Sequence, residues 1–228
     1  MKTSVGTITI GQSPRVDLVP EIREMTEGDI EFVEKGALDG LSSAEIEELA
    51  PRSGATTLVT RLRDGTHVKV NKIDIEEKVQ EKIYRLEELG VGLVVLLCSG
   101  SFEKLESNVP LIFPNGLLFG TLSGLDLPNK LGFLVPSEEQ VDSAAEEFEH
   151  AGLDPVGFGA SPYEGIDDIR GGAEKLKQED VDVIALHCVG YSEAMKKEVI
   201  KITGKPVVLV RSILGRFLGE IAIPPEQS

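Results

Sequence analysis

The amino-acid sequence predicts an α/β fold in which two pseudo-symmetric lobes each contain a sheet of the parallel type. Short apolar segments alternate with helical patterns along most of the chain, and this alternation is typical of parallel strands connected by helices. Residues 92–98 and 181–188 are nearly all apolar, as strands buried on both faces are. Both segments end in Cys-x-Gly, at Cys98 and Cys188, which indicates an internal repeat.

Apolar periodicity and capping residues define the predicted elements of the first half. The clearest helix covers residues 72–89, because one face collects its apolar side chains Ile75, Val79, Ile83 and Leu86. Ser42, with Glu45 three residues later, forms a capping box that opens a shorter acidic helix. Two strands joined around Asp64 and Gly65 predict a β-hairpin. The other predicted elements are a helix over residues 16–25 and strands over residues 5–10, 30–33, 92–98 and 110–113.

The second half alternates more regularly between strands and helices. Ser137, with Gln140, is predicted to cap a helix that ends near Ala151. The remaining predicted elements are strands over residues 130–135, 155–158, 181–188 and 206–210, and helices over residues 166–177, 193–202 and 213–221.

The repeat extends to the opening strand of each half. Residues 7–13 and 132–137 both form a predicted strand that ends in serine or proline and leads into a helix. We therefore expect a first lobe over residues 1–128, with the hairpin at residues 57–70 as an insertion, and a second lobe over residues 129–228. The last helix is a candidate to pack back on the first lobe.

Charge and composition exclude several classes of function. The formal net charge is −16, so little is available for the basic face that nucleic-acid binding requires, and anionic membrane surfaces are disfavoured as well. No segment approaches the roughly 18 consecutive apolar residues that span a bilayer, and the N-terminus shows no apolar signal core. We expect a cytoplasmic protein with neither nucleic-acid nor membrane partners. An anionic substrate would need a local pocket lined by cations or amides.

Cys98 and Cys188 are the candidates for chemistry. Two cysteines in a reducing compartment are rarely a structural disulfide, and metal-ligand spacings are absent, so no metal site is expected. Ligands of parallel α/β sheets bind outside the carboxyl ends of the strands, where both thiols lie. Gly100 and Gly190, each two residues after a thiol, let the backbone approach a ligand. A single cysteine there is more often a core residue, whereas two at corresponding points of a repeat leave packing and catalysis open.

The surroundings of the thiols supply further candidates. We expect backbone N–H groups at the start of the helix after each thiol to bind a carboxylate and to lower the thiol pKa. Arg15 is the candidate carboxylate clamp, with a surface salt bridge as the alternative. His187 precedes Cys188 directly, so on a strand it points to the other face and is expected to support the core rather than act as a base. Asp17 either orients a cysteine or begins a helix.

Three segments resemble the AroM family, a branch of the aspartate/glutamate/hydantoin racemase superfamily. They are the opening strand with GQSPR-V-D at residues 7–17, the buried strand before Cys98-Ser99-Gly100, and DVIALHC-x-G, which contains Cys188. The resemblance covers nearly the whole chain. It implies two α/β lobes related by a pseudo-twofold axis, with the active site in the cleft between them.

The resemblance also implies a reaction that needs no cofactor. In two-cysteine enzymes of the superfamily, one thiolate removes the proton α to a carboxylate and the other thiol returns a proton from the opposite face, which are the roles implied for Cys98 and Cys188. The residues implied to bind the substrate are Ser13, Pro14, Arg15, Ser99, Gly100, Ser101, Ser137, Val189, Gly190 and Tyr191. Relatives often carry Asp-Ser-Gly or Gly-rich turns where this chain has Ser13-Pro14-Arg15, so the substrate is specified only as a small carboxylate.

Three functions remain open on this basis. The leading one is a racemase or epimerase, that is, an isomerase acting at a carbon α to a carboxylate. A second is a decarboxylase or cis–trans isomerase of the same superfamily that uses one cysteine. The third is a binding or regulatory protein without catalysis, against which the presence of both thiols argues. A homodimer is the assembly that the sequence leaves open.

Overall fold

The computed structural model describes residues 3–26, 30–52, 54–102 and 104–221. These residues form two compact units. The first contains the described residues of Met1–Phe113 and of Gly215–Ser228, and the second is Pro114–Leu214. Each unit has its own parallel sheet, so the predicted α/β class with two lobes is confirmed.

The first unit is built on a parallel sheet with a separate hairpin. Its strands among the described residues are β1 (Thr3–Thr9), β2 (Ile30–Gly36), β3 (Thr57–Arg61), β4 (His67–Asn71), β5 (Leu93–Leu96) and β6 (Leu111–Ile112). The parallel sheet has the order β2-β1-β5-β6, and β3 pairs with β4 in antiparallel register as predicted. All four residues of β5 are buried, as expected for a strand covered on both faces.

The helices of the first unit follow the sequence pattern closely. Besides the part of the last helix that belongs to this unit, the helices among its described residues are α1 (Val19–Met25), α2 (Ser43–Glu48) and α3 (Lys72–Glu88). The predicted capping box is present, because the Ser42 side chain accepts the Glu45 N–H and the Glu45 carboxylate accepts the Ser42 N–H. The predicted apolar stripe of α3 is fully buried in the core of this unit.

The second unit repeats the same layout with shorter connections. Its elements are α4 (Pro114–Leu122), β7 (Lys130–Val135), α5 (Val141–His150), β8 (Pro155–Gly159), α6 (Ile166–Leu176), β9 (Val181–Leu186), α7 (Glu193–Thr203), β10 (Val207–Leu209) and the start of α8 (Val210–Ile221). The sheet has the order β10-β9-β7-β8, and all its pairs are parallel.

The two sheets have matching topology. When the second sheet is read from β8, its order β8-β7-β9-β10 corresponds strand for strand to β2-β1-β5-β6. The opening strands β1 and β7 and the cysteine strands β5 and β9 therefore occupy the same two central positions. The pseudo-symmetry expected from the repeated Cys-x-Gly ending is present in the topology.

The structure departs from the sequence-based description at two boundaries. The second unit begins at Pro114 rather than at residue 129, because α4 packs within it: Asn115 contacts His187, and the Phe119 ring lies 5.1 Å from that of Phe148. The predicted cap at Ser137 is not formed by its side chain, since a single 3-10 turn over Glu138–Gln140 precedes α5.

The length and hydropathy of the helices decide whether any of them could span a membrane. Of the helices in the described part of the chain, none combines the length and apolarity needed to cross a lipid bilayer.

Candidate active site

The first candidate thiol lies in a turn at the carboxyl end of β5. The Gly100 N–H donates a hydrogen bond to the Cys98 sulfur at 3.3 Å. A Cβ atom on Gly100 would lie 3.0 Å from the side chain of Leu58 and 3.4 Å from that of Phe102, so the hairpin and the following chain pack against this turn. Cys98 is half-buried and is not part of a disulfide.

The second candidate thiol lies in an equivalent turn after β9. The Gly190 N–H donates to the Cys188 sulfur, also at 3.3 Å. A Cβ atom on Gly190 would lie 2.7 Å from the hydroxyl of Tyr163 and 2.9 Å from Pro162, so only glycine fits without displacement. Cys188 is half-buried and, like Cys98, is not part of a disulfide.

The shared N–H donor has a chemical consequence. A hydrogen bond from an amide to sulfur stabilises negative charge on that sulfur, and the thiolate rather than the thiol is the base and nucleophile. Glycine at the second position lets the backbone fold back far enough for its own N–H to reach the thiol. Both turns therefore hold the side chain in a form suited to accepting a proton.

A helix follows only one of the two thiols. Ser192 caps α7 by accepting the Met195 N–H at 3.3 Å, so the expected helix after Cys188 is present. The corresponding expectation for Cys98 is wrong, because no described residue between β5 and β6 is helical. The side chains of α3 bind this segment instead. Gln80 exchanges two hydrogen bonds with the Glu106 backbone, and Glu87 accepts bonds from Ser107 and Asn108.

The loop after β1 is held by Asp39. The Asp39 carboxylate accepts the Ser13 N–H at 2.9 Å and the Ser13 hydroxyl at 2.5 Å, and it also accepts the Gly36 N–H at 2.7 Å. Arg63 of the hairpin donates to the Ser13 carbonyl at 2.8 Å and lies 3.2 Å from Asp39. The hairpin is therefore part of the support of this loop and not only an insertion. The Ser13–Pro14 peptide bond is cis.

The guanidinium of Arg15 is paired with the carboxylate of Asp17. Its guanidinium is buried and donates two 2.8 Å hydrogen bonds to Asp17 and a third at 3.0 Å to Thr9. Burial opposes ionisation of Asp17, but the hydrogen bonds and charge of Arg15 outweigh it and lower the Asp17 pKa. The predicted clamp therefore forms an ion pair within the loop, buried rather than on the surface, and Asp17 orients Arg15.

The opening loop of the second unit has a related geometry. Ser137 is half-buried, and the next residue, Glu138, accepts the Gly159 N–H at 2.8 Å. A Cβ atom on Gly159 would lie 2.4 Å from the Glu138 nitrogen, just as one on Gly36 would lie 2.6 Å from the Ser13 nitrogen. In both units, the glycine that ends the second strand allows the first loop to approach the sheet.

The two serines close after Cys98 differ in how far they are buried. The Ser99 hydroxyl oxygen is buried and has no hydrogen-bond partner among the described residues, whereas Ser101 is exposed. An unpaired buried hydroxyl costs about 1–3 kcal/mol, which a bound ligand could recover. Since β1 pairs with β5 and β7 with β9, the Ser13 loop shares a sheet edge with Cys98, and Ser137 shares one with Cys188. Within each unit, these predicted site residues therefore lie at one edge of the sheet.

His187 belongs to the core of the second unit. Its Nε2 atom lies 3.0 Å from the Asn115 side-chain oxygen, and its ring packs at 5.1 Å against Phe148. Burial lowers the pKa of His187 to about 4, so the ring is neutral near pH 7. This position agrees with the supporting role expected from its place before Cys188.

Comparison with known proteins places the chain in a family. The family model described as "AroM protein" matches residues 5–222. The chain belongs to the AroM family. No curated protein sequence matches this AroM chain significantly.

Solved structures share the fold of the AroM chain at low sequence identity. The aspartate racemase of Picrophilus torridus is 14% identical, with a TM-score of 0.64 and coverage of 99% of this chain and 97% of its own. An arylmalonate decarboxylase is 17% identical, with a TM-score of 0.59 and coverage of 97% and 96%. The maleate isomerase Iso of Pseudomonas putida S16 is 14% identical, with a TM-score of 0.63 and coverage of 93% and 90%. The fold is therefore that of the Asp/Glu racemase-like enzymes.

The AroM chain also contains supporting residues that sequence reasoning missed. Arg211, at the start of α8, is buried and donates to the Val189 carbonyl at 2.8 Å and to the Gly190 carbonyl at 2.9 Å. An arginine within the mostly apolar run VVLVRSILG was the available signal. Asp39 and Arg63, which hold the Ser13 loop, were also missed, and the signal for Asp39 was an acidic residue shortly after a strand.

Val189 and Tyr191 point into the core of the second unit. Both side chains are buried, and the Tyr191 hydroxyl donates to the Ala160 carbonyl at 2.6 Å. Burial, followed by the charge of Cys188, raises the pKa of Tyr191 well above its usual value, so this phenol stays neutral. These two residues can offer backbone groups to a ligand, while their side chains hold the turn.

Proposed function

We propose that this AroM-family chain is a cofactor-independent racemase or epimerase that acts at a carbon α to a carboxylate. The observation that carries the proposal is the repeated thiol geometry. Cys98 and Cys188 follow topologically equivalent strands, and each sulfur accepts the N–H of the glycine two residues later at 3.3 Å. A pair of equivalent bases suits a reaction in which the proton is removed on one face and returned on the other.

The chemical step needs only proton transfer. One cysteine, as the thiolate, takes the α-proton and becomes a thiol, leaving an enolate whose charge is shared with the carboxylate. The other cysteine, as the thiol, then gives its proton to the opposite face of the α-carbon and becomes a thiolate. An α-proton is weakly acidic, so fixed donors must stabilise the enolate as it forms.

Candidate donors for the substrate carboxylate come from the loops rather than from Arg15. Arg15 is paired with Asp17, so we assign the substrate carboxylate to backbone amides and hydroxyls, with those around Ser99 as the first candidates. The buried hydroxyl of Ser99, without a partner among the described residues, supports this assignment.

A decarboxylase or cis–trans isomerase with one active cysteine is the second candidate. The support of the two turns is unequal, since α7 follows Cys188 and Arg211 binds its turn, whereas the chain after Cys98 is irregular in its described part. This difference favours Cys188 as the thiol that would act alone. An arylmalonate decarboxylase and a maleate isomerase have the same fold.

Solvent deuterium incorporation tests the proposal directly. The purified protein would be incubated in D₂O with a panel of small amino, hydroxy and dicarboxylic acids, and incorporation at the α-carbon would be followed by NMR. We expect at least one carboxylate to exchange its α-proton, and we expect alkylation of both thiols to abolish that exchange. Exchange that survives alkylation would refute the cysteine mechanism. Protection of the thiols from alkylation by a carboxylate that shows no exchange, isomerisation or decarboxylation would indicate a binding protein instead.

A further inference from the structure

A buried guanidinium supports the Cys188 turn from within the second unit. Arg211 is only 2% exposed. Its Nε atom donates to the Val189 carbonyl at 2.8 Å, and its Nη2 atom donates to the Gly190 carbonyl at 2.9 Å. Hydrogen bonds from a charged donor are roughly twice as strong as those between neutral groups, and low polarity around them strengthens them further.

One peptide group connects this arginine to the thiol. The Val189 carbonyl and the Gly190 N–H belong to the same amide. Arg211 therefore binds the oxygen end of the amide whose nitrogen end donates to the Cys188 sulfur at 3.3 Å. A hydrogen bond to the oxygen polarises the amide and makes its N–H a stronger donor.

We propose that Arg211 is a positioning residue that stabilises the Cys188 thiolate through the Val189–Gly190 amide. The permanent charge of the guanidinium adds a direct attraction for the anionic sulfur, because a guanidinium cannot be deprotonated in proteins. The catalytic consequence rests on the function proposed above, while the effect on the thiol does not depend on any substrate.

Other ionisable groups lie around the turn on neighbouring elements. They are Tyr163 and Asp168 beyond β8, Tyr191 in the turn itself, and Glu193 with Lys196 on α7. Burial keeps the Tyr191 phenol neutral near pH 7, and the carboxylates of Asp168 and Glu193 would oppose an anionic sulfur. Lys196 lies 3.6 Å from Glu193 and offsets its charge. Arg211 is the cation that is bonded to the turn directly.

Thiol alkylation at a series of pH values tests the proposal without a substrate. Iodoacetamide would be added to the native protein, to Arg211→Met and to Arg211→Lys, and the rates at Cys98 and Cys188 would be measured separately by peptide mass spectrometry. We expect Arg211→Met to move the midpoint of the Cys188 profile upward by about one pH unit, which slows alkylation roughly tenfold below the midpoint. The Cys98 profile should not move, and Arg211→Lys should restore part of the shift because the charge is retained.

A control variant makes the result specific. Arg216→Met makes the same replacement at an exposed arginine of α8 and should leave both thiol profiles within error. An unchanged Cys188 profile in Arg211→Met, or an equal shift of both thiols, would overturn the proposal. If Arg211→Met does not fold, the native protein decides: a Cys188 midpoint at or above the value of about 8.5 for a free cysteine would also overturn it, and a lower midpoint would support it.

The outcome is independent of the proposed reaction. The expected Cys188 profile together with a negative deuterium screen would remove the racemase proposal and leave the role of Arg211 intact. A positive deuterium screen together with an unchanged Cys188 profile in Arg211→Met would support the racemase proposal and overturn the proposed role of Arg211.

Discussion

The turns at Cys98 and Cys188 have the same geometry at sulfur but different support. In each, a glycine N–H two residues later reaches the sulfur at 3.3 Å. The Cys98 turn leads into an irregular segment bound by the polar side chains of Gln80 and Glu87. The Cys188 turn leads into α7 and is bound from inside by Arg211. The short motif thus determines the thiol geometry, and each unit stabilises that geometry with its own long-range contacts.

The same comparison extends to the residue before each thiol. Leu97 and His187 occupy this position in the two halves, and both are buried. Leucine makes the first unit indifferent to pH at this point, whereas the second unit buries a titratable ring. The two turns should therefore respond differently to substitution and to acid.

Removal of each thiol is expected to have the largest effect. Cys98→Ala should abolish racemisation while leaving α-proton exchange for one enantiomer, and Cys188→Ala should spare only the other, because a fixed side chain cannot reach the far face of a planar enolate. Loss of one acid or base should reduce racemisation by roughly 10²–10⁴-fold. The measurement is deuterium exchange of each enantiomer, once the screen has identified a substrate.

The matched control for this experiment is Ser123→Ala, at an exposed residue beyond α4. It should retain full activity. Complete loss of exchange in one cysteine variant, with no effect in the other, would establish one-cysteine chemistry, and we would then expect Cys188 to be the essential thiol. Two fully active cysteine variants would remove both residues from the mechanism.

Acid should destabilise the protein through His187. Burial lowers its pKa to about 4 in the folded state, compared with 6.5 in a free side chain. The unfolded chain therefore binds the proton first as the pH falls, so stability is complete above about pH 6.5 and declines towards pH 4. The loss attributable to this residue is about 3 kcal/mol. Urea denaturation of the native protein at pH 7, 6, 5 and 4.5 would measure it.

In the His187→Leu variant, the second unit carries leucine before its thiol, as the first unit does at Leu97. The variant should lose some stability at pH 7, because the Asn115 side-chain oxygen loses its hydrogen bond to His187, but its stability should fall less steeply between pH 6.5 and 4. Leu97→Ala is the matched control at the equivalent position and should keep the native pH dependence. A His187→Leu variant as acid-sensitive as the native protein would contradict the expected role of the buried ring.

The fold was predictable from sequence because its signals are local. The apolar stripe of α3, the capping box at Ser42 and the buried cysteine strands all arise from residues a few positions apart. The matching sheet topology followed from one repeated feature, a buried strand that ends in Cys-x-Gly. The same feature identified both candidate thiols.

The support of the site was not predictable, because it depends on contacts between distant residues. Arg211 binds carbonyls 21 and 22 residues earlier, and Asp39 binds Ser13 from 26 residues away. Composition cannot show such pairings. Even Arg15 and Asp17, only two residues apart, gave no signal that the guanidinium would be engaged by the chain itself. The irregular segment after Cys98 was also not predictable, because it is bound by Glu87, which lies 20 and 21 residues before its partners Ser107 and Asn108.

The two glycines beside the thiols should differ in their tolerance to alanine. A Cβ atom at Gly190 would lie 2.9 Å from the rigid ring of Pro162, as well as close to Tyr163, whereas one at Gly100 would first meet the flexible end of Leu58 at 3.0 Å. We expect Gly190→Ala to lower the free energy of unfolding by about 1–3 kcal/mol, and Gly100→Ala by less. Urea denaturation measures both, and the reverse order would show that the Cys98 turn is the more tightly packed one.

The smallest expected effect is at Glu87, which binds the segment after Cys98. Its carboxylate accepts the Asn108 N–H at 2.6 Å, the Asn108 side chain at 2.8 Å and the Ser107 hydroxyl at 2.8 Å, and these bonds lower the Glu87 pKa. The carboxylate is therefore ionised at pH 7, and its contribution is lost only as the pH falls through the lowered pKa. Glu87→Gln should weaken these bonds and raise the alkylation rate of Cys98 by about fivefold, the equivalent of one hydrogen bond, without changing that of Cys188.

Glu88→Gln is the matched control for this variant. It removes the neighbouring carboxylate, which pairs with Arg85 on the surface, and should change neither alkylation rate. If Glu87→Gln accelerated both thiols equally, the support of the Cys98 turn would not be local, and the contrast between the two turns would fail at this point.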